Sequence, residues 1–179
     1  MSRILRCPTA QLGDRIPRLR ELFEEAWSGD EAFDDDDWEH SIGGTHFLYE
    51  VDGTVRSHVS VVDRVLEADG RPLQTGYVEA VATWERDRGR GYASALMREA
   101  TAMIDEDYEL GALGTELFAF YGRLGWQVWR GPTGVRTDRG VVRTPDEDGF
   151  VMFRRTSATP ELDVAGALLT CDWRAGDVW

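Results

Sequence analysis

The sequence predicts an α+β fold, and three observations support that reading. Residues 45–83 hold three alternating apolar segments separated by Asp52-Gly53 and Asp69-Gly70, the chemistry of tight antiparallel turns. The third segment runs through a glycine-rich turn into an apolar stripe of helical period. Two further short apolar segments, at 110–113 and 126–129, flank a second helical pattern.

Taken in order, Arg3-Ile4-Leu5-Arg6-Cys7 is a first strand. Thr9 can cap a helix over residues 10–27, where Ile16, Leu19, Leu22, Phe23 and Ala26 recur every three or four positions. Pro17 falls inside that pattern, so either the first turn is irregular or the regular helix starts near Pro17. Residues 28–37 form an acidic loop ending in four aspartates. They read as a solvated loop whose last aspartate caps Trp38-Glu39-His40, or as carboxylates of which one or two face a cationic substrate. Strands at 45–51, 54–65 and 75–83 make a meander. A helix follows to residue 105, with Ala93, Leu96, Met97, Ala100 and Ile104 on one face. After the strand at 110–113, Gly114-Thr115 breaks the pattern. Residues 116–124 read as a helix with Leu117, Phe120, Tyr121 and Leu124 together, stopped by Gly125. Residues 126–129 are a strand, 131–149 a long turn-rich loop, and 150–153 a final strand. Trp173 and Trp179 in the tail predict a segment docked on the body.

The 179 residues read as one domain with 42% apolar and 30% charged residues, ordinary for a soluble protein. A formal charge of −13 argues against nucleic acid or an anionic membrane as partner and suits a cationic ligand. Cys7 and Cys171 make no disulfide framework, and His40, His46 and His58 are scattered, so no metal site is expected. Neither a signal core in residues 1–10 nor an apolar run of membrane-spanning length is present, and the expected location is cytoplasmic.

The stretch from Gly76 to Arg98 places a strand, a glycine-rich turn and a helix start in sequence. Unpaired N–H groups and the helix dipole at such a start favour an anion, which predicts a phosphate-bearing cofactor. Its core, Arg88-Gly89-Arg90-Gly91-Tyr92-Ala93, resembles the phosphate motif of the GCN5-related N-acetyltransferase (GNAT) superfamily: Gln or Arg, two residues, Gly, one residue, Gly or Ala. Phe120-Tyr121-Gly122-Arg123-Leu124-Gly125-Trp126 resembles that superfamily's later helix. More narrowly, Asp37-Trp38-Glu39-His40, Gly76-Tyr77-Val78-Glu79, Leu110-Gly111-Ala112-Leu113, Arg143-Thr144-Pro145-Asp146 and the segment from Cys171 to Trp179 resemble actinobacterial aminoglycoside 2'-N-acetyltransferases.

The resemblance implies a GNAT fold, with a central mixed, mostly antiparallel sheet flanked by helices. It also implies acetyl-CoA as cosubstrate, a polycationic aminoglycoside as acceptor, direct attack in a ternary complex, and a homodimer. Glu79 becomes the general base and Tyr121 the acid for the leaving thiolate, while the Val81 N–H polarises the thioester carbonyl. A carboxylate inside an apolar strand is expected to have raised proton affinity. Val81, Ala82 and Thr83 would lie along the pantetheine, and Arg88, Gly89, Arg90, Gly91, Tyr92, Ala93 and Ser94 would hold the pyrophosphate. Asp30, Asp37, Glu147, Asp177 and the carboxylate of Trp179 match the family's aminoglycoside contacts, with Glu79, Ala80 and Gly114 beside them. Ala80 replaces a glycine next to the base, and Gly114 stands where a close relative has a serine. No cysteine lies near either motif, which disfavours an acyl-cysteine route. Two other functions fit the same cofactor motif: acetylation of a polyamine or another cellular amine, and non-catalytic acetyl-CoA binding.

Overall fold

The computed structural model describes residues 1–28 and 32–179. The chain forms two compact units. The first comprises Met1–Val62 and Val78–Ala102, the second Asp63–Tyr77 and Met103–Trp179.

In the first unit β1 (Ser2–Pro8) pairs antiparallel with β2 (Thr45–Val51), which pairs antiparallel with β3 (Thr54–Ala68). The turn between β2 and β3 sets Asp52 at φ 50° and Gly53 at φ 76°, both left-handed, as an Asp-Gly hairpin requires. The β2–β3 register shifts by one between Tyr49 and Glu50, so a bulge interrupts the ladder. β4 (Arg71–Thr83) is the next strand beyond β3. Two short 3-10 turns precede α1 (Ile16–Ala26), so the regular helix starts at Pro17's own turn, where a missing N–H costs nothing. Leu19, Leu22 and Phe23 of α1 are buried with Leu12, Trp38, Leu48, Val55 and Trp84.

The acidic run differs from its expected form. α2 spans Asp35–Ile42, and its cap is Asp34, the first of the four aspartates and not the last. Asp34 accepts from the Asp37 N–H at 3.0 Å, and Asp37 accepts from the Asp34 N–H at 3.1 Å. Carboxylates in a first turn complement the helix dipole, which outweighs their poor interior propensity.

In the second unit the strand order is β6-β9-β5-β4-β3-β10-β7-β8. β5 (Leu110–Gly114) runs parallel to β4 and antiparallel to β9 (Val151–Arg155), which also pairs with the two-residue β6 (Gln127–Val128). α3 (Tyr92–Asp107) starts in the first unit and ends in this one. Gly76 and Gly111 are register partners, and a Cβ on either would fall within 3.0 Å of Ile104. The two bare backbones are what let the end of α3 lie flat on this part of the sheet.

Three expectations for this unit are corrected. The segment 131–149 is not a loop: β7 (Thr133–Thr137) and β8 (Gly140–Arg143) form a hairpin there. β8 is exposed throughout, so it lacks the apolar alternation that marks a half-buried strand. The helix expected over 116–124 is a single turn, α4 (Phe118–Gly122), and Leu117 stands exposed at its start. The tail contains β10 (Leu169–Asp172), parallel to β7 and antiparallel to β3. Trp179 is buried, whereas Trp173 is 62% exposed. Among the described residues no helix is long and apolar enough to cross a membrane, and no cluster of His, Cys, Asp and Glu could hold a metal ion.

Candidate active site

The sequence-predicted base sits on the one irregular stretch of β4. Ala80 has φ 49°, a left-handed conformation that costs an alanine about 1–2 kcal/mol and that glycine adopts freely. Glu79, Ala80 and Val81 are all half-buried, where a regular strand would alternate. The backbone carbonyls here accept from side chains of β3. Ser60 Oγ donates to the Glu79 carbonyl at 3.1 Å, and Ser57 Oγ to the Ala82 carbonyl at 2.8 Å. His58 Nδ1 lies 2.7 Å from the Ala80 carbonyl oxygen. Ser57 Oγ is also 2.7 Å from Thr83 Oγ1. This left-handed kink therefore leaves three consecutive residues half-buried, with the Glu79, Ala80 and Ala82 carbonyls bonded by side chains of β3.

Beyond Thr83, Trp84 packs into the core and its indole donates to the Val55 carbonyl at 3.0 Å. A 3-10 turn (Glu85–Asp87) leads to Arg88, and Gly89 and Gly91 take φ 77° and 81°. A Cβ at either would touch nothing within 4 Å, so it is the left-handed backbone and not space that calls for glycine. α3 then starts at Tyr92, with Ala95 N–H bonded to the Gly91 carbonyl at 3.0 Å. The exposed turn and the helix start, with Arg88 and Arg90 exposed beside them, fit a pyrophosphate. Asp87 is buried and anchors the turn through Arg56 at 3.3 Å and Arg90 at 3.6 Å. The Tyr92 ring stacks on Tyr49 of β2 at 4.3 Å.

The second unit holds Tyr121, Gly114, Glu147, Asp177 and Trp179 of the other predicted residues. Tyr121 is buried on α4, edge-on to Phe120 at 4.9 Å and to Trp126 at 6.5 Å. Burial pushes its phenol well above the ordinary range, so it stays protonated at neutral pH. Glu147, Asp177 and Trp179 gather around Thr144. The Thr144 carbonyl accepts from the Glu147 N–H at 2.9 Å, and its hydroxyl accepts from the Trp179 indole at 3.0 Å. Asp177 accepts from the Trp179 N–H at 3.1 Å. Burial, then the nearby Asp177 and Asp146, hold the Glu147 carboxyl above its usual range. A Cβ on Gly114 would lie 3.6 Å from Trp179, ordinary contact, so a serine would fit there.

The tail that brings these groups together is fixed by buried Arg64, which donates to the Asp172 carboxylate at 3.1 Å and to the Val178 carbonyl at 2.9 Å. Arg174 adds bonds to the Asp177 carbonyl at 2.7 Å and the Trp179 oxygen at 3.2 Å.

The structure thus makes two groupings of the predicted residues. Glu79 to Thr83 and Arg88 to Ser94 are contiguous in the first unit, and Gly114, Glu147, Asp177 and Trp179 meet in the second. Asp37 belongs to the first unit and is committed to the α2 cap. Asp30 lies outside the described residues. The sequence reading did not single out Ser57, His58 and Ser60, because their role depends on the backbone irregularity at Ala80, which the local sequence does not announce.

A family model described as an acetyltransferase (GNAT) domain matches residues 12–129. An aminoglycoside 2'-N-acetyltransferase of Mycolicibacterium fortuitum is 43% identical over 164 residues, covering 89% of this chain and 83% of that protein. A GNAT family N-acetyltransferase of Escherichia coli, solved with CoA, superposes with a TM-score of 0.65 at 19% identity, over 96% of this chain and 88% of that one. A GNAT family acetyltransferase of Brucella melitensis, solved with acetyl-CoA, gives 0.63 at 13% identity, over 90% and 92%. A larger probable N-acyltransferase of Enterococcus faecalis gives 0.60 at 16% identity, and there the match covers 74% of this chain but a third (33%) of the other. With its strand, glycine turn and helix start in the order the resemblance required, this α+β chain belongs to the GNAT acetyltransferase family.

Proposed function

We propose that this protein transfers the acetyl group of acetyl-CoA to the 2'-amine of an aminoglycoside. The observation that carries the reading is the 43% identity across 89% of the chain to an aminoglycoside 2'-N-acetyltransferase, together with the left-handed, side-chain-held kink at Glu79 to Val81. Gly89 to Ser94 hold the pyrophosphate through backbone N–H groups, and Ala82 and Thr83 follow the pantetheine. When bound, acetyl-CoA supplies the activated acetyl group. Glu79 removes a proton from the attacking amine, directly or through water. The Val81 N–H stabilises the negative charge that develops on the carbonyl oxygen, an effect worth ~3 kcal/mol when the donor is pre-aimed. Tyr121, kept protonated by burial, donates its proton to the departing thiolate. Glu147 and Asp177 meet the ammonium groups of the acceptor, and Asp37 and Asp30 contribute further negative charge.

A homodimer and a cytoplasmic setting complete the proposal, the latter supported by two buried, free cysteines.

Mass spectrometry of products from kanamycin A and kanamycin B tests the reading, because only kanamycin B carries a 2'-amine. We expect monoacetylated kanamycin B with release of one thiol per product. Equal acetylation of kanamycin A would overturn the 2' assignment, and turnover of spermidine alone would move the enzyme to another amine class.

A further inference from the structure

Behind the kink at Ala80 runs a buried chain of hydrogen bonds that the roles above do not use. His58 Nδ1 lies 2.7 Å from the Ala80 carbonyl, and His58 Nε2 lies 2.9 Å from His46 Nδ1. His46 Nε2 lies 2.9 Å from the hydroxyl of Thr9, which also reaches the Ile42 carbonyl. Both rings are essentially inaccessible to solvent, and Phe23 of α1 closes the face of His58 edge-on at 4.9 Å.

A carbonyl only accepts, so His58 Nδ1 must carry the proton, and in the neutral ring Nε2 is then an acceptor facing His46 Nδ1. The one proton of the Thr9 hydroxyl goes to the Ile42 carbonyl, so Thr9 faces His46 Nε2 as an acceptor. Burial is the main cause that holds both rings neutral, lowering His46 to about 4 and His58 to about 3. The chain ends on the oxygen of an amide, which has no proton to pass on, so it is no proton route to the Glu79 carboxylate.

What it can do is mechanical. Ala80 occupies a left-handed conformation, and its carbonyl takes its bond from the His58 ring. The residue on one side is Glu79 and on the other Val81. We propose that His58, in the Nδ1–H tautomer that the Ala80 carbonyl requires, is a positioning residue for acetyl transfer: it clamps the Ala80 carbonyl and thereby fixes the Glu79 carboxylate and the Val81 N–H against each other. The inference rests on the reading of Glu79 and Val81 as the reacting centre. Ser60, bonded to the Glu79 carbonyl at 3.1 Å, supports the same segment but leaves the orientation of residue 80 to the histidine.

Nitrogen-15 NMR of the wild-type protein at pH 7.5 reads the tautomers without any variant. The His58 ring should be the neutral Nδ1–H form, and an Nε2–H form of that ring would overturn the proposal. Kinetics with kanamycin B supply the second arm. His58→Leu keeps the site filled and apolar but removes the donor, and kcat should drop ~10-fold or more, since misplacement by an ångström at a reacting centre is that costly. The KM for acetyl-CoA should stay within ~2-fold, because the pyrophosphate turn is untouched. His58→Asn, whose amide can place an N–H near the Nδ1 position, should recover most of kcat. A Leu variant with wild-type kcat, or Asn and Leu variants equally impaired with equal losses in melting temperature, would show a merely structural ring. Absence of wild-type turnover on any aminoglycoside would instead refute the parent reading, while the tautomers would stand as measured.

Discussion

The two groupings of predicted residues are built on different principles. The proposed cofactor side, from Glu79 to Ser94 in the first unit, would work mainly through backbone: a left-handed alanine, two left-handed glycines and the start of α3. The proposed acceptor side, around Glu147, Asp177 and Trp179 in the second unit, would work through side chains drawn from separate segments and held by Arg64 and Arg174. Backbone recognition suits a ligand that never changes, because the pyrophosphate needs only N–H groups in the right curve. Carboxylates in the turn after β8 and on a tail suit a ligand class that varies, because each charge can be altered without disturbing the fold. Mutations should therefore separate the two sides cleanly, with the proposed base Glu79 set apart from both.

The largest effect is expected there. Glu79→Gln keeps the shape and removes the base, and kcat/KM for kanamycin B should fall by ~10²–10³, the range for loss of a positioned general base. Thiol release measured across pH should show the ascending limb of the wild-type profile flattened. Full activity of the variant at every pH would remove Glu79 from the chemistry.

A crossed pair sharpens the contrast. Gly91→Val forces a β-branched residue into a φ of 81°, at a cost of about 1–2 kcal/mol, so the acetyl-CoA KM should rise ~10-fold with the aminoglycoside KM little changed. Asp177→Asn should do the reverse: a charge-assisted bond worth about 1.5–3 kcal/mol is lost to the ammonium of the acceptor, and cofactor affinity is spared. Initial-rate kinetics with both substrates varied would check both. If each variant raised both constants alike, the two sides would not be separable.

The same contrast explains what the sequence disclosed. The strand, glycine turn and helix start are contiguous, so their spacing alone located them. The strands of the meander were also legible, since Asp52-Gly53 and Asp69-Gly70 are local signals. The hairpin β7–β8 was hidden because all of β8 faces solvent, and β10 because its pairing partners are distant. The histidine pair was hidden by a subtler cause. From the Asp52-Gly53 turn, Val51 pairs with Thr54, and that register would set His46 opposite Val59, with His58 on the other face. The bulge between Tyr49 and Glu50 shifts the register by one, so His46 pairs with Ser60 and His58 with Leu48. One inserted residue flips every later side chain to the other face, and only then do the two rings meet. Nothing in the local sequence announces that bulge.

The smallest predicted effect is on stability and distinguishes the units by sign. His46 and His58 titrate near 6.5 when unfolded but at about 4 and about 3 when folded. Between those values the unfolded chain binds protons that the folded one refuses, so stability is complete above pH 6.5 and declines as pH falls toward 4. The causes are burial first, then for His58 the neighbouring His46, with the Ile42 and Ala80 carbonyls acting in the opposite sense. Each ring can contribute at most ~1.4 kcal/mol per pH unit. Glu147 acts oppositely: its raised proton affinity favours folding at low pH, and that contribution fades as pH rises through its folded value. Urea unfolding followed by tryptophan fluorescence at pH 7.5, 6.5 and 5 should show the midpoint falling over the last interval. His58→Leu should make the fall shallower, and Glu147→Gln should leave it nearly unchanged. An unchanged slope in the leucine variant would mean that groups elsewhere set the acid response.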